Sequence, residues 1–481
     1  MDKDLLFDDI LKEKANKEKL VLPEKLDLKI EDTLNNLPER SKGKGKFIKK
    51  VGIAAAIILA CGVGISVGFP AFARNLPVVS SVFQYLSEKN IIDKDYVRYS
   101  DDLNMSKSYN GITVTINSIV YDGIDLSIGY TVQSENEIKE TPVIIGPNIK
   151  INGKTVGFGG KGAGEFKDKK TYVGVRTVDV AMDYLPKEVT KHTVGGNVKI
   201  PEEFIMDFNI RDLSQNMKGK WDFKFKVSTE KIKSNVKSIK TNIDLSAVRP
   251  GSKVNEVIIS PINTALRTEI QSSDGLDIDE RYIVFDDKGR TLKEKSSSCS
   301  GSGETNMYYS QFLFRNVYED SKILTFIPYG YTKEILKEKK DNMLNNLKKR
   351  NDGDMQGFKE AYKIATKEVP LNLKDSTILQ EGKLGEYKVT KIEFLSDKTL
   401  IYYECTNFLP MISPCEISLI DASGKKYELS RNMVKEIDPI AHKYIGELPA
   451  MNKDMQYKLS ADDFEKLYEI REDAKFTIEI K

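Results

Sequence analysis

The stretch GITVTINSIVYDGIDLSIGYTV, residues 111–132, decides the fold. Ile112, Val114 and Ile116 alternate with polar residues, and after Asp122-Gly123 the set Ile124, Leu126, Ile128, Tyr130 and Val132 does the same. A period of two sends successive side chains to opposite faces of a strand, and Asp-Gly supplies the positive φ of a tight turn, so the segment predicts a β-hairpin. Working outward, Val389, Ile392 and Phe394 followed by Leu400 and Tyr402 repeat the form, and Val257, Ile259, Leu266, Thr268 and Ile270 give a looser copy.

A second signature follows each hairpin: Ile151-Asn152-Gly153-Lys154, then Phe285-Asp286-Asp287-Lys288-Gly289-Arg290, then Ile420-Asp421-Ala422-Ser423-Gly424-Lys425. Gly153, Gly289 and Gly424 are 136 and 135 residues apart, and Leu126, Leu266 and Leu400 are 140 and 134 apart. Two features that keep their offset through three copies predict three tandem β units of one plan. Short strands separated by turn residues suit immunoglobulin-like β-sandwiches better than a parallel α/β sheet. The expected bounds are 100–240, 241–368 and 369–481. Thr332 to Thr366, with Ile335, Leu336, Met343, Leu344 and Leu347 among many Lys, reads as a helix joining the second and third units.

A chain of 481 residues suits several such domains. Lys plus Arg is 74 and Asp plus Glu is 72, a balance that does not point to direct nucleic-acid binding. Four Cys and two His exclude a disulfide-stapled scaffold and an array of zinc modules.

Residues 51–69, VGIAAAIILACGVGISVGF, carry no charge. As a helix they extend about 28 Å, close to the hydrocarbon thickness of a bilayer, and predict one transmembrane crossing. Arg40, Lys42, Lys44, Lys46, Lys49 and Lys50 precede the run as a basic collar, so the N-terminus is expected in the cytoplasm and the C-terminal bulk outside the cell membrane. Cleavage after Ala71-Phe72-Ala73 is the competing reading, disfavoured by the length of what precedes it. Gly52, Ala56, Ala60, Gly64 and Gly68 recur every four residues, a small-residue stripe through which two copies can pair. Residues 1–50 form the inner segment, in which Leu26, Ile30, Leu34 and Leu37 have the spacing of one helix face and are the candidate contacts to a cytosolic partner. Residues 70–99 are expected to hold a juxtamembrane amphipathic helix, with Pro77 in its first turn and Val78, Val79, Val82, Phe83 and Leu86 on its apolar face.

Candidate chemistry is sparse. Gly157 to Gly162 matches G-x-G-x-x-G, but another strand follows where the nucleotide motif needs a helix, so the segment is expected to be a flexible loop. His192 and His442 belong to no metal spacing. Asp274, Asp277, Asp279 and Glu280 could offer oxygens to calcium but lack the regular loop spacing. Cys405 and Cys415 flank a short loop that a disulfide could close. Trp221, Phe223 and Phe225 alternate as sandwich core. No catalytic residue, cofactor or metal is assigned, and no enzyme is expected.

The stretches Leu22-Pro23-Glu24-Lys25-Leu26 to Leu34-Asn35-Asn36-Leu37-Pro38, the single apolar run, Phe69-Pro70-Ala71-Phe72-Ala73-Arg74-Asn75-Leu76-Pro77-Val78-Val79 to Tyr85-Leu86, and the hairpin Gly111 to Val132 resemble a domain-of-unknown-function family of Gram-positive single-pass membrane proteins. Members of that family are often treated as regulators or anti-sigma factors of extracytoplasmic-function sigma factors. Val257-Ile258-Ile259-Ser260-Pro261 and Leu324-Thr325-Phe326-Ile327-Pro328-Tyr329 are similar to an immunoglobulin-like companion domain of such proteins. The resemblance implies inner helices that hold a sigma factor and outer domains that receive an envelope signal. The His and two Cys of the zinc-type signature are missing from residues 1–40, so any grip on a sigma factor rests on helix packing. The alternative is a structural or adhesive surface protein whose inner tail is passive.

Overall fold

The computed structural model describes residues 81–480 apart from 90, 180–184, 186–199, 215, 273–278, 303–304, 352–364 and 430–432. The described residues lie in the compact part Pro70–Lys481. They are mainly β, in several antiparallel sheets.

The first module contains β1 (Asp101–Tyr109), β2 (Ile112–Tyr121), β3 (Asp125–Ser134), β4 (Asn148–Ile151), β5 (Lys154–Thr155), β6 (Gly159–Asp168), β7 (Thr171–Asp179), β8 (Glu203–Asp212) and β9 (Lys218–Ser228). One sheet runs β1-β2-β3-β7-β6 and the other β5-β4-β8-β9. The period-two pattern decides what lies between them. Phe204, Met206, Phe208 and Ile210 of β8, with Trp221, Phe223, Phe225 and Val227 of β9, point inward against Val114, Ile116, Leu126, Ile128 and Tyr130. Trp221 is fully buried, and its Nε1 donates to the Ile112 carbonyl at 3.2 Å, which satisfies the indole inside the core.

In the second module β10 (Lys237–Asp244), β11 (Lys253–Ile259), β12 (Asn263–Gln271), β13 (Arg281–Asp286), β14 (Glu294–Ser302), β15 (Met307–Arg315) and β16 (Ile323–Tyr331) give a sheet β10-β11-β12-β15-β14 facing a second one that contains β13 and β16. The third module has β17 (Thr366–Pro370), β18 (Thr377–Gln380), β19 (Glu386–Phe394), β20 (Lys398–Cys405), β21 (Ile417–Asp421), β22 (Lys426–Glu428), β23 (Val434–Asp438), β24 (Lys443–Pro449) and β25 (Tyr457–Asp462), in sheets β18-β19-β20-β24-β23 and β17-β25-β21-β22. All three five-stranded sheets share one order: three consecutive strands, then, after one or two strands given to the other sheet, a further pair whose later strand lies inside and whose earlier one forms the edge.

The glycine signature marks equivalent turns. Gly153, Gly289 and Gly424 have φ of 81°, 77° and 85°. In the second and third copies Asp286 and Asp421 accept backbone N–H groups from Lys288 and Arg290 and from Ser423 and Lys425. The leucine spacing does not mark equivalent sites. Leu126 and Leu266 are buried, whereas in β20 it is Ile401, Tyr403 and Cys405 that face the core, and Leu400 and Tyr402 are half-exposed. A bulge between Val389 and Lys391 shifts the pairing of β19 with β20.

The chain departs from simple tandem order at its end. After β16 it enters a helix (Lys333–Asn351), builds the third module, and returns as β26 (Tyr468–Ile470) and β27 (Phe476–Glu479), both paired antiparallel with β16. Residues 468–479, assigned from sequence to the third unit, therefore finish the second, and the third is inserted before the second is complete. The expected bounds at 240 and 368 fall inside β10 and β17. The glycine segment expected to be a loop is the edge strand β6 from Gly159 onward. Paired so closely to β7, an added Cβ at Gly160 would lie 2.4 Å from the Thr177 carbonyl oxygen. Cys299, Cys405 and Cys415 form no disulfide.

No helix among the described residues is long and apolar enough to cross a membrane. The run 51–69 with its stripe Gly52, Ala56, Ala60, Gly64 and Gly68, and the inner contacts Leu26, Ile30, Leu34 and Leu37, lie outside the described residues.

Candidate functional site

Two short helices precede the first module. Helix α1 (Val82–Glu88) starts at Ser81, whose Oγ accepts the Gln84 N–H at 3.1 Å and satisfies one of the free donors of the first turn. The start of the juxtamembrane helix expected at Pro77 lies outside the described residues. Val82, Phe83 and Leu86 share one helix face and are fully buried. Helix α2 (Asp95–Tyr99) buries Tyr96, which meets Phe83 edge to face at 5.7 Å.

These helices cover the outer face of the β2–β3–β7 sheet. That face carries short side chains: Ser118, Ser127 and Thr131 are buried there, and Val120, Val173 and Val175 join Val82, Phe83, Leu86 and Tyr96 in a small separate core. Gly129 makes the approach possible, because a Cβ there would lie about as close to Val82 and Phe83 as real side chains ever come, at 3.0 and 3.1 Å. Ile262, from the turn of the β11–β12 hairpin, enters the same cluster, so the helices sit at a seam between two modules.

The seam is made from equivalent turns. Asp122 Oδ1 accepts the N–H groups of Ile124 and Asp125 at 2.9 Å each. Its Oδ2 accepts the Ser260 hydroxyl at 2.6 Å and Asn263 Nδ2 at 2.9 Å from the second module. Ser260 Oγ in turn accepts the N–H groups of Ile262 and Asn263, the same turn geometry as at Asp122. Ile124, at the tip of the first hairpin, packs on Ile258, Ala265 and Leu313. Asp122, Ser260 and Asn263 are each no more than 2% exposed, so these bonds form away from solvent.

Beside the turns runs a cleft of about 620 Å³, lined by residues 91–96 and by Lys161, Lys293, Lys295 and Arg315. Lys295 Nζ donates to Tyr96 Oη at 3.1 Å and to the Ile262 carbonyl at 3.2 Å, and Asp93 stands 3.7 Å away. Burial alone would lower the Lys295 ammonium, but Tyr96 and Asp93 outweigh it and hold its pKa above the ordinary value. Burial, with Asp122 and Asp179 nearby, raises the Asp125 carboxyl well above the usual range. Asn316 Nδ2 donates to Asp95 Oδ2 at 2.8 Å, a further link between α2 and the second module.

The remaining sequence candidates do not converge on chemistry. Asp279 Oδ2 accepts the Tyr331 N–H at 2.8 Å, Glu280 accepts the Tyr282 hydroxyl, and Asp274 and Asp277 lie outside the described residues. No group of three His, Cys, Asp or Glu able to hold a metal occurs among the described residues. His442 sits at a turn with φ 49°, its pKa lowered by burial, and His192 is outside the described residues. Sequence reading missed the seam. Its traces were the apolar face Val82, Phe83 and Leu86 of a helix expected to pack on the first domain or at the lipid surface, and an outer strand face with Ser, Thr and Gly and no Lys or Glu.

Residues 43–134 match the family described as Domain of unknown function (DUF4179), and residues 234–364 match the Family of unknown function (DUF5643). No curated protein matches the chain. Among solved structures, the crystal structure of the conserved domain protein from Bacillus anthracis aligns at 21% identity over 53% of this chain and 86% of that one, with a TM-score of 0.40. Bovine butyrophilin aligns at 8% identity over 43% and 84%, with a TM-score of 0.12. The chain thus joins a segment similar to DUF4179, running from the basic collar through the β2–β3 hairpin, to a segment similar to DUF5643 that covers β10 to β16 of the second module without its last strands β26 and β27, and neither description assigns a role.

Proposed function

We propose that this chain is a single-pass membrane regulator of the anti-sigma kind: residues 1–39 bind a cytosolic sigma factor, residues 51–69 cross the membrane, and three immunoglobulin-like β-sandwich modules outside respond to the envelope. The observation that carries the reading is the docking of Val82–Tyr99. A slack linker would isolate the outer modules from the lipid. Here the first described residues after the apolar run are packed on the first module and shut in by Ile262, Lys295 and Asn316 of the second. A shift between the two modules therefore displaces the polypeptide that leads to the membrane, which is what a transmembrane relay requires. The stripe Gly52 to Gly68 gives such a displacement a second outlet, a change in the pairing of two copies.

The test is co-purification with residues 1–39 as bait, together with sigma-dependent transcription. Recovery of a sigma factor, and altered transcription when residues 1–39 are deleted, is the expected result. No sigma factor, or unchanged transcription, contradicts the proposal.

A further inference from the structure

The cleft at the seam is unevenly charged. Its lining carries Lys94, Lys161, Lys293, Lys295 and Arg315 against two carboxylates, Asp93 and Asp95, of which Asp95 is engaged by Asn316; Asp125, outside the lining, also acts on Lys161 and Lys295. Asp93 stands 3.7 Å from Lys295 and 4.0 Å from Arg315, too far to hydrogen-bond either directly. Lys293 is held at 3.1 Å by Glu436 of the third module. Lys161 donates to the Lys295 carbonyl, and the carboxylates of Asp125 and Glu294 act on it only through space. Arg315 Nε is buried with no hydrogen-bond partner. Arg315 Nη1 reaches the Tyr318 hydroxyl at 3.4 Å, so Nε is the one orphan among these cations, and a single unpaired buried donor is costly unless a ligand or water takes it up. The volume, about 620 Å³, lies within the range of small-molecule pockets.

We propose that this cleft binds a phosphate group, held by Lys161, Lys295 and Arg315 and closed on one side by residues 91–96. Three cations on separate strands, β6, β14 and β15, suit charge spread over several oxygens better than one carboxylate, a place Asp93 already takes. Burial lowers the Lys161 pKa, and an anion beside it reverses that effect. Bound phosphate would join the first module, the second module and the α1–α2 connection through one ligand. Binding is independent of what residues 1–39 contact, so this inference and the regulatory proposal fail separately. The phosphate can come from a phospholipid headgroup or from a soluble species.

The experiment is amide hydrogen exchange of residues 91–96 in the full chain in dodecyl maltoside, titrated with inorganic phosphate against chloride at equal ionic strength. A second arm places the chain in phosphatidylglycerol nanodiscs without free phosphate. Slower exchange with inorganic phosphate identifies a soluble source, and slower exchange only in the nanodiscs identifies a headgroup. In either case Lys161→Met, on an exposed edge strand, weakens the effect about tenfold, as loss of one charge-assisted bond does. Arg315→Lys keeps the charge and loses the fork, and weakens it by a similar factor. No protection in either arm, equal protection by chloride, or protection unchanged in Lys161→Met overturns the proposal.

Discussion

The first and second modules share a five-stranded sheet order but complete their smaller sheets differently. In the first, β9 follows β8 through a local turn and the two strands pair along their length. In the second, the place beside β16 stays open until the chain has built the third module and returned as β26 and β27. Phe476 then stacks on Phe326 at 5.0 Å and meets Tyr282 edge to face, so the last residues of the chain finish a core begun near residue 239. The same plan can thus close locally or at very long range. Closure at long range makes the second module dependent on the third and slower to form, because the intervening loop must be ordered first.

Deleting residues 468–481 breaks this contrast most severely. The second module is expected to lose hydrogen-exchange protection as a whole while β2 and β3 keep theirs; intact protection in β11, β12 and β16 would show that the borrowed strands are dispensable. Trp221→Ala is the reciprocal test. It should cost the first module about 4 kcal/mol, by loss of a fully buried indole, and leave denaturant-dependent exchange of the second unchanged.

A third test uses pH. Burial raises the Glu280 carboxyl to about 7, against the pull of the Tyr282 hydroxyl and Arg249 beside it. Its folded pKa exceeds its unfolded one, so the folded state binds the extra proton between about pH 4.5 and 7. Stability of the second module therefore falls as pH rises through that window, by roughly 3 kcal/mol in total, and the loss is complete above it. Glu280→Gln should remove this slope from the second module in urea titrations followed module by module, and leave the pH profile of the first module, which has its own raised carboxyl at Asp125, unchanged. The smallest effect is at the seam. Asp122→Ala removes two bonds within its own turn and two to Ser260 and Asn263, and is expected to cost roughly 2 kcal/mol. A double-mutant cycle with Asn263→Ala measures the share that crosses between modules.

Much of the β architecture was legible because strands announce themselves by alternation. Ile112 to Val132 gave the hairpin, its turn and the inward set apart from Ile124, which packs on the second module, and Trp221, Phe223 and Phe225 gave the opposite wall. Partner choice was less legible. Phe476-Thr477-Ile478 reads as a strand, but nothing in a period of two says that its neighbour is β16 and not a nearer strand of the third module. The face of β20 was misjudged because Leu400-Ile401-Tyr402-Tyr403 is apolar or aromatic at every position, so its alternation does not say which set points inward. The seam was hidden for another reason. Ser118, Ser127, Gly129 and Thr131 look like a solvent side, and on the strands themselves the absence of long charged side chains is what betrays that the apolar face of α1 lies on them.

The central claim is that Val82–Tyr99 is clamped between two modules, and hydrogen exchange of its amides in the full chain tests this most directly. The account predicts slow exchange at Val82–Leu86 and Tyr96 in the unmodified protein, with marked acceleration at Tyr96 in Lys295→Met, where its link to the second module is cut. Rapid exchange across 82–99 in the unmodified protein, or no response to Lys295→Met, would contradict it.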